Sequence, residues 1–160
     1  VMKYLISACL VGENVRYDGK NCYTHALKQL VATQQAMIIC PEVAGGLSTP
    51  RLPAEIIGGN GVDVLNGRAQ VRDSAGNDQS KAFIDGAYQA LKLAQAHQVT
   101  HVVLKANSPS CGTHKIYDGS FSGIQTVGQG VTAALLTQHG FQVIDENQFL
   151  QLLAQEDSMF

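Results

Sequence analysis

A chain of 160 residues, 45% hydrophobic and 15% charged, has interior enough for one core and reads as a single domain spanning residues 1–160. Its formal net charge is −2 and its 11 basic residues are scattered, which argues against a long nucleic acid as partner and leaves single bases or nucleotides open. No apolar run approaches the roughly 20 residues of a membrane span.

The opening "KYLISAC" (3–9) is a short apolar run ending near Gly12, which predicts a buried strand rather than a signal core, because Glu13, Arg16 and Asp18 follow directly. Val1 ahead of Met2 reads as an added residue. "THALKQLVATQQ" places Ala26, Leu27, Leu30 and Val31 at helical spacing, with Thr24 as N-cap. "AMIIC" (36–40) is a second buried strand, stopped by Pro41. The Gly/Pro-rich "PEVAGGLSTPRLPAEIIGGNG" is expected to be loop and short turns. "VDVLNGRAQVRDSAGN" predicts a small hairpin insertion turning at Asn66-Gly67.

"DQSKAFIDGAYQALKLAQAHQ" is the clearest helix, capped by Asp78 or Ser80, with Phe83, Ile84, Ala87, Ala90, Leu91 and Ala94 on one apolar face. "HVVLKA" is a third buried strand, "GVTAALLTQHG" a helix closed by Gly140, "FQVID" a fourth strand and "ENQFLQLLAQ" a final helix. Buried strands alternating with amphipathic helices predict an α/β fold: a mostly parallel, Rossmann-like sheet flanked by helices. "RYDGK" (16–20) and "IYDGS" (116–120) echo one another and read as two similar turns.

In a parallel sheet all carboxyl ends share one edge, where α/β proteins build their sites. Cys9 and Cys40 end the first two strands and Cys111 follows the third across a turn, so three cysteines distant in sequence are expected to meet there. Cys22, in "GKNCYTH", does not fit and reads as a small residue without a role. Four cysteines in a chain read as cytoplasmic point to thiol or metal chemistry rather than disulfides.

Spacing alone leaves three uses of Cys9, Cys40 and Cys111 on an equal footing. One is metal: the close pairs of structural zinc sites are absent, whereas a 4Fe–4S cluster on three thiolates would keep one iron open as a Lewis acid. The second is a metal-free cysteine nucleophile of a hydrolase or transferase. The third is a set of half-buried cysteines lining a pocket; a non-catalytic metal-binding module is a further alternative.

The neighbours supply acid–base and hydrogen-bonding groups: Glu42 after Cys40, Arg16 and Asp18 after Cys9, and Asn107, Ser108 and Ser110 before Cys111. Ser108 and Ser110 suit ordinary turn chemistry around Pro109 equally well. Gly45, Gly46 and Gly112 would allow close backbone approach, and Arg51 is either a solvated loop charge or a clamp. Of the five histidines only His114 is near enough in sequence to reach the site, in a supporting role.

"ISACLVGENVRYDG", "CPEVAGGLSTPR", "LKANSPSCG" and "YDGSFSG…GVTAALL" together resemble the thiouracil desulfidase family, in order, from about residue 4 to about residue 145. The resemblance implies an oxygen-sensitive 4Fe–4S cluster held by Cys9, Cys40 and Cys111, and conversion of thiolated uracil to uracil with sulfur passed to the open iron and released as sulfide. Nothing carries over to Cys22. On this footing the substrate is expected to be 2-thiouracil or a related thiolated pyrimidine base. Glu42 would activate the attacking water, and Ser108 or Ser110 would position the ring or relay a proton. Asn107, Lys105 and Arg16 are expected as further substrate contacts. The expectation excludes long nucleic acid and membrane as partners and leaves the oligomeric state open, a monomer being compatible.

Overall fold

The computed structural model describes residues 3–12, 14, 17–18, 25–33 and 36–158. Four parallel strands form its central sheet: β1 (Tyr4–Ser7), β2 (Ala36–Ile39), β5 (His101–Leu104) and β8 (Gln142–Asp145), ordered β2-β1-β5-β8. Both faces are covered, which is why these strands read as continuous apolar runs. Leu5, Val102 and Leu104 enter one buried cluster, and Ile6, Val103 and Ile144 enter another, together with Leu27 and Phe149.

The second cluster lies under α1 (His25–Ala32) and α6 (Glu146–Ser158). The first lies under α3 (Gly61–Leu65), α4 (Ser80–Ala96) and α5 (Val131–Gln138). Helix α4 buries Phe83, Ala87, Ala90, Leu91 and Ala94, the face expected from the sequence, with Ile84 packed beside them. Gln79 occupies its N-cap position; Asp78 instead accepts the Ser80 N–H, and the Ser80 hydroxyl accepts the Val71 N–H. Gly140 (φ 85°) closes α5 as expected. Thr24 and Cys22 lie outside the described residues, as does Arg16.

The predicted hairpin is corrected. Residues Gly61–Leu65 are helical, because Asn60 accepts the Val62 and Asp63 N–H groups while Asp63 accepts the Asn60 N–H, a reciprocal capping box. Asn66 has φ −93°, so Asn66-Gly67 terminates that helix instead of forming a two-residue hairpin turn, which needs positive φ at both positions. Strand β4 (Gln70–Asp73) pairs antiparallel with β3 (Ala54–Ile57), inside the stretch expected to be loop. The same stretch holds the one-turn helix α2 (Pro41–Ala44). A second small hairpin joins β6 (Lys115–Tyr117) to β7 (Gln125–Val127).

Candidate functional site

The sheet order determines where the site lies. β1, β2 and β5 are adjacent, and the chain leaves β1 toward β2 on one side while β5 and β8 lie on the other. The change of direction between β1 and β5 is the switch point at which open α/β sheets bind ligands, beyond the strands' carboxyl ends.

β1 ends at Ser7, two residues earlier than expected, and continues as a 3₁₀ turn over Ala8–Val11 that buries Cys9. Cys40 follows β2 as the N-cap of α2, whose first residue is Pro41, the residue type best suited to that position. β5 leads through Lys105 to the Cys111 turn. There the Ser108 Oγ accepts the Ser110 and Cys111 N–H groups (3.2 and 2.7 Å), and the Ser108 carbonyl accepts the Gly112 N–H.

This turn also caps α5. The carbonyls of Pro109 and Ser110 accept the N–H groups of Val131 and Thr132, which otherwise lack intrahelical partners. Gly130 is needed at the join, since a Cβ there would lie 2.6 Å from the Ser110 carbonyl carbon. Cys111 is therefore held by both a strand and a helix end.

Cys9, Cys40 and Cys111 line one cavity of about 480 Å³, together with Ser7, Glu42, Arg51, Lys105, Asn107 and Ser108. No disulfide joins the three cysteines. Glu42 is fixed by Arg51, whose Nε and Nη2 both donate to Oε2 (3.0 and 2.5 Å), leaving Oε1 outside the pairing. Arg51 also donates to the Ser48 carbonyl and the Thr49 hydroxyl, so it clamps its own loop onto α2. Burial is the main cause that pushes the Cys111 thiol up to about 12; the nearby Cys40 and Glu42 add to the effect, and the hydroxyls of Ser7 and Ser110 oppose it. Burial also raises Cys40, against the pull of the Val43 backbone N–H. A free-thiolate nucleophile needs the opposite shift, whereas a bound metal would deprotonate these thiols outright.

The other expected residues divide. Asn107 lines the cavity in a left-handed conformation (φ 71°) that asparagine tolerates. Lys105 lines it too, but its ammonium is paired with Glu146 (3.3 Å) and donates to the Ala106 carbonyl. Ser108 lines it; buried Ser110 instead pairs with the Thr132 hydroxyl at 2.7 Å. His114 is exposed and absent from the lining.

Several lining residues escaped sequence reasoning: Ser7, Glu55, Asp73, Gln79, Tyr117 and Phe121. Ser7 is nearly inaccessible and its hydroxyl accepts the Lys105 N–H at 3.0 Å, tying β1 to β5. The Tyr-Asp-Gly echo offered one usable signal, since Tyr17 and Tyr117 both face this cavity.

The sequence profile of the family described as 2-thiouracil desulfurase matches residues 4–148. The Bacillus subtilis (strain 168) protein YbbK is 47% identical over 149 residues, covering 93% of this chain and 99% of its own. A solved structure described as a 4Fe-4S-dependent thiouracil desulfidase, TudS, superposes with a TM-score of 0.84 at 42% identity, covering 100% of both chains.

Proposed function

Since this chain belongs to the 2-thiouracil desulfurase family, we propose that it is a desulfidase converting 2-thiouracil, or a related thiolated uracil, to uracil by non-redox cleavage of the carbon–sulfur bond. The observation that carries this reading is the meeting of Cys9, Cys40 and Cys111, from three adjacent strand ends, in one cavity beside Glu42.

The donor set suits a 4Fe–4S cluster. Three cysteines joined by no disulfide, each following a separate strand end, offer one thiolate to each of three iron corners. Among the described residues no group of three His, Cys, Asp or Glu side chains converges as it would on a single ion. Held by Cys9, Cys40 and Cys111, such a cluster supplies one iron with an open position, a Lewis acid for the thiocarbonyl sulfur.

The remaining chemistry belongs to the chain. Glu42, fixed through Oε2, takes the proton of the attacking water at Oε1. The Ser108 oxygen accepts two backbone N–H groups, so its hydroxyl proton is the part available to the pyrimidine. The Asn107 amide reads the polar edge of the base. Lys105 contributes its position in the wall, its charge being committed to Glu146. Arg16 is retained as a substrate contact on its place in the sequence alone. Overall, thiocarbonyl and water become carbonyl and hydrogen sulfide, with no electron transferred. A reducing cytoplasm suits three cysteines that form no disulfide, and no helix among the described residues is long and apolar enough to cross a membrane.

Anaerobic purification tests the reading. Native protein should be brown, bind about four irons per chain and release uracil from 2-thiouracil. Cys9→Ala, Cys40→Ala and Cys111→Ala should each lose iron and turnover, and Cys22→Ala neither. Iron-free protein that still desulfurates would sink the cluster role, and iron loss in Cys22→Ala would remove the open position.

A further inference from the structure

The end of β6 and the loop from it to β7 contribute Tyr117, Phe121 and Gly123 to the cavity wall. Phe121 has φ 56°, a left-handed conformation that a bulky side chain rarely adopts, and the residue is 39% exposed. Neither feature helps the fold, so the surroundings must impose the conformation.

They do so at several points. The Asp118 N–H donates to the Ile124 carbonyl (2.9 Å), closing the loop, and the Asp118 carboxylate accepts both the backbone N–H and the hydroxyl of Ser120. The loop is also tied to β3. Glu55 Oε1 accepts the N–H of Gly119 (2.9 Å) and of Phe121 itself (3.2 Å). At Gly119 (φ 91°) a Cβ would stand 2.6 Å from the Ile56 carbonyl oxygen, so the loop lies directly against that strand. One carboxylate thus holds a strained backbone, and the strained residue carries an aromatic ring at the wall of the cavity that Cys9, Cys40, Cys111 and Glu42 also line.

We propose that Phe121 is the residue that stacks on the face of the substrate's heterocycle, and that Glu55 is the positioning residue that holds it there. This rests on reading the cavity as a thiolated-pyrimidine site. A phenyl ring has no polar handle, so it recognises a flat π-system and not the pattern of edge groups. It therefore selects planar heteroaromatic thiocarbonyls over saturated ones, while the polar residues of the lining read the edges.

Steady-state kinetics of the iron-loaded protein on 2-thiouracil decide it, with iron content and Tm measured on each variant. Phe121→Gly removes the ring and supplies the residue that prefers positive φ. Its KM should rise about tenfold, the loss expected of one base–aromatic stack, with kcat within about twofold, iron unchanged and Tm equal or higher. Glu55→Ala should reproduce the KM rise, Glu55→Gln, which keeps an acceptor oxygen, should restore most of it, and Phe121→Gly/Glu55→Ala should be no worse than Phe121→Gly alone. A KM within twofold of native in Phe121→Gly, or a lowered Tm with unchanged KM, overturns the stacking role. A native KM in Glu55→Ala overturns the positioning role. Native protein that fails to turn over 2-thiouracil counts against the desulfidase reading itself, so the two failures are distinct.

Discussion

Gly86, inside α4, meets Pro41 backbone to backbone: a Cβ at Gly86 would stand 1.8 Å from the Pro41 carbonyl oxygen. The contact is reciprocal, because a Cβ at Gly45 would stand 1.9 Å from the Ala82 carbonyl oxygen. Two glycines thus let α2 lie directly on α4, which places Cys40 and Glu42 at the cavity.

Gly86→Ala tests that placement. Helix propensity alone favours alanine by up to about 1 kcal/mol, yet here the added methyl meets backbone, which cannot rotate away. We expect a net destabilisation of about 1–3 kcal/mol, typical of overpacking, with reduced iron uptake because α2 begins at Cys40. Thermal denaturation and iron assay check both effects, and an unchanged Tm with full iron would show that α2 shifts without cost.

Arg51→Met leaves the Glu42 carboxylate, whose side chain is only 15% exposed, without its cationic partner. Removing one member of a pair this little exposed should cost on the order of 3 kcal/mol. Glu42→Gln/Arg51→Met should recover part of the stability and no turnover, whereas Glu42→Gln alone should keep its iron and lose turnover. Urea unfolding and uracil release separate the two roles; native turnover in Glu42→Gln would remove Glu42 as the base.

The parallel core was legible in the sequence because burial on both faces leaves an uninterrupted apolar run, as in "YLIS" and "HVVL", and the meeting of the cysteines followed from strand-end topology. The small antiparallel pieces were not. β3 is four residues between Pro53 and Gly58, and its partner strand starts thirteen residues after β3 ends, beyond a capped helix. Asn66-Gly67 satisfies the sequence rule for a hairpin turn and a helix end alike; the Asn60–Asp63 box, three to six residues upstream, decides between them. Ser7, Glu55 and Phe121 act through contacts across 98, 64 and 66 positions, which no local pattern encodes. For the serines before Cys111 the sequence left turn and chemistry level; the structure gives Ser108 to the cavity wall and Ser110 to Thr132.

Asp73 predicts an acid limit. Its carboxylate accepts the N–H groups of Asn77 and Ala75 and the side-chain amides of Asn77 and Gln79, and the Asn77 backbone bond is the main cause holding it below the usual carboxylate range. A depressed folded value means that the stabilisation is present in full above the unfolded value, near 3.9, and is lost as pH falls through the folded one. In metal-free protein, Asp73→Asn should therefore be less stable than native at pH 7, with the gap narrowing below about pH 4. Urea titrations at pH 7, 5 and 3 measure it; a gap independent of pH would assign the loss to the shape of the loop and not to charge.

The Ser110–Thr132 pair separates structure from chemistry in the Cys111 turn. Both hydroxyls are buried, 2.7 Å apart, and link the turn to the first residues of α5. Thr132→Val keeps the volume and removes one partner of the buried Ser110 hydroxyl, which also faces the Cys111 thiol, at an expected cost of about 1 kcal/mol. Ser110→Ala/Thr132→Val removes both polar groups and should regain part of that loss. If Ser110 is a brace, Ser110→Ala should lower Tm and leave KM and kcat of the iron-loaded enzyme near native, while Ser108→Ala should lower kcat, because the Ser108 hydroxyl is the one lining the cavity. Ser108→Ala also removes the acceptor of the Cys111 N–H, so its iron content must be measured first. Full iron with lost kcat in Ser108→Ala, beside native kinetics in Ser110→Ala, assigns the proton-handling role to Ser108; the reverse pattern would return it to Ser110.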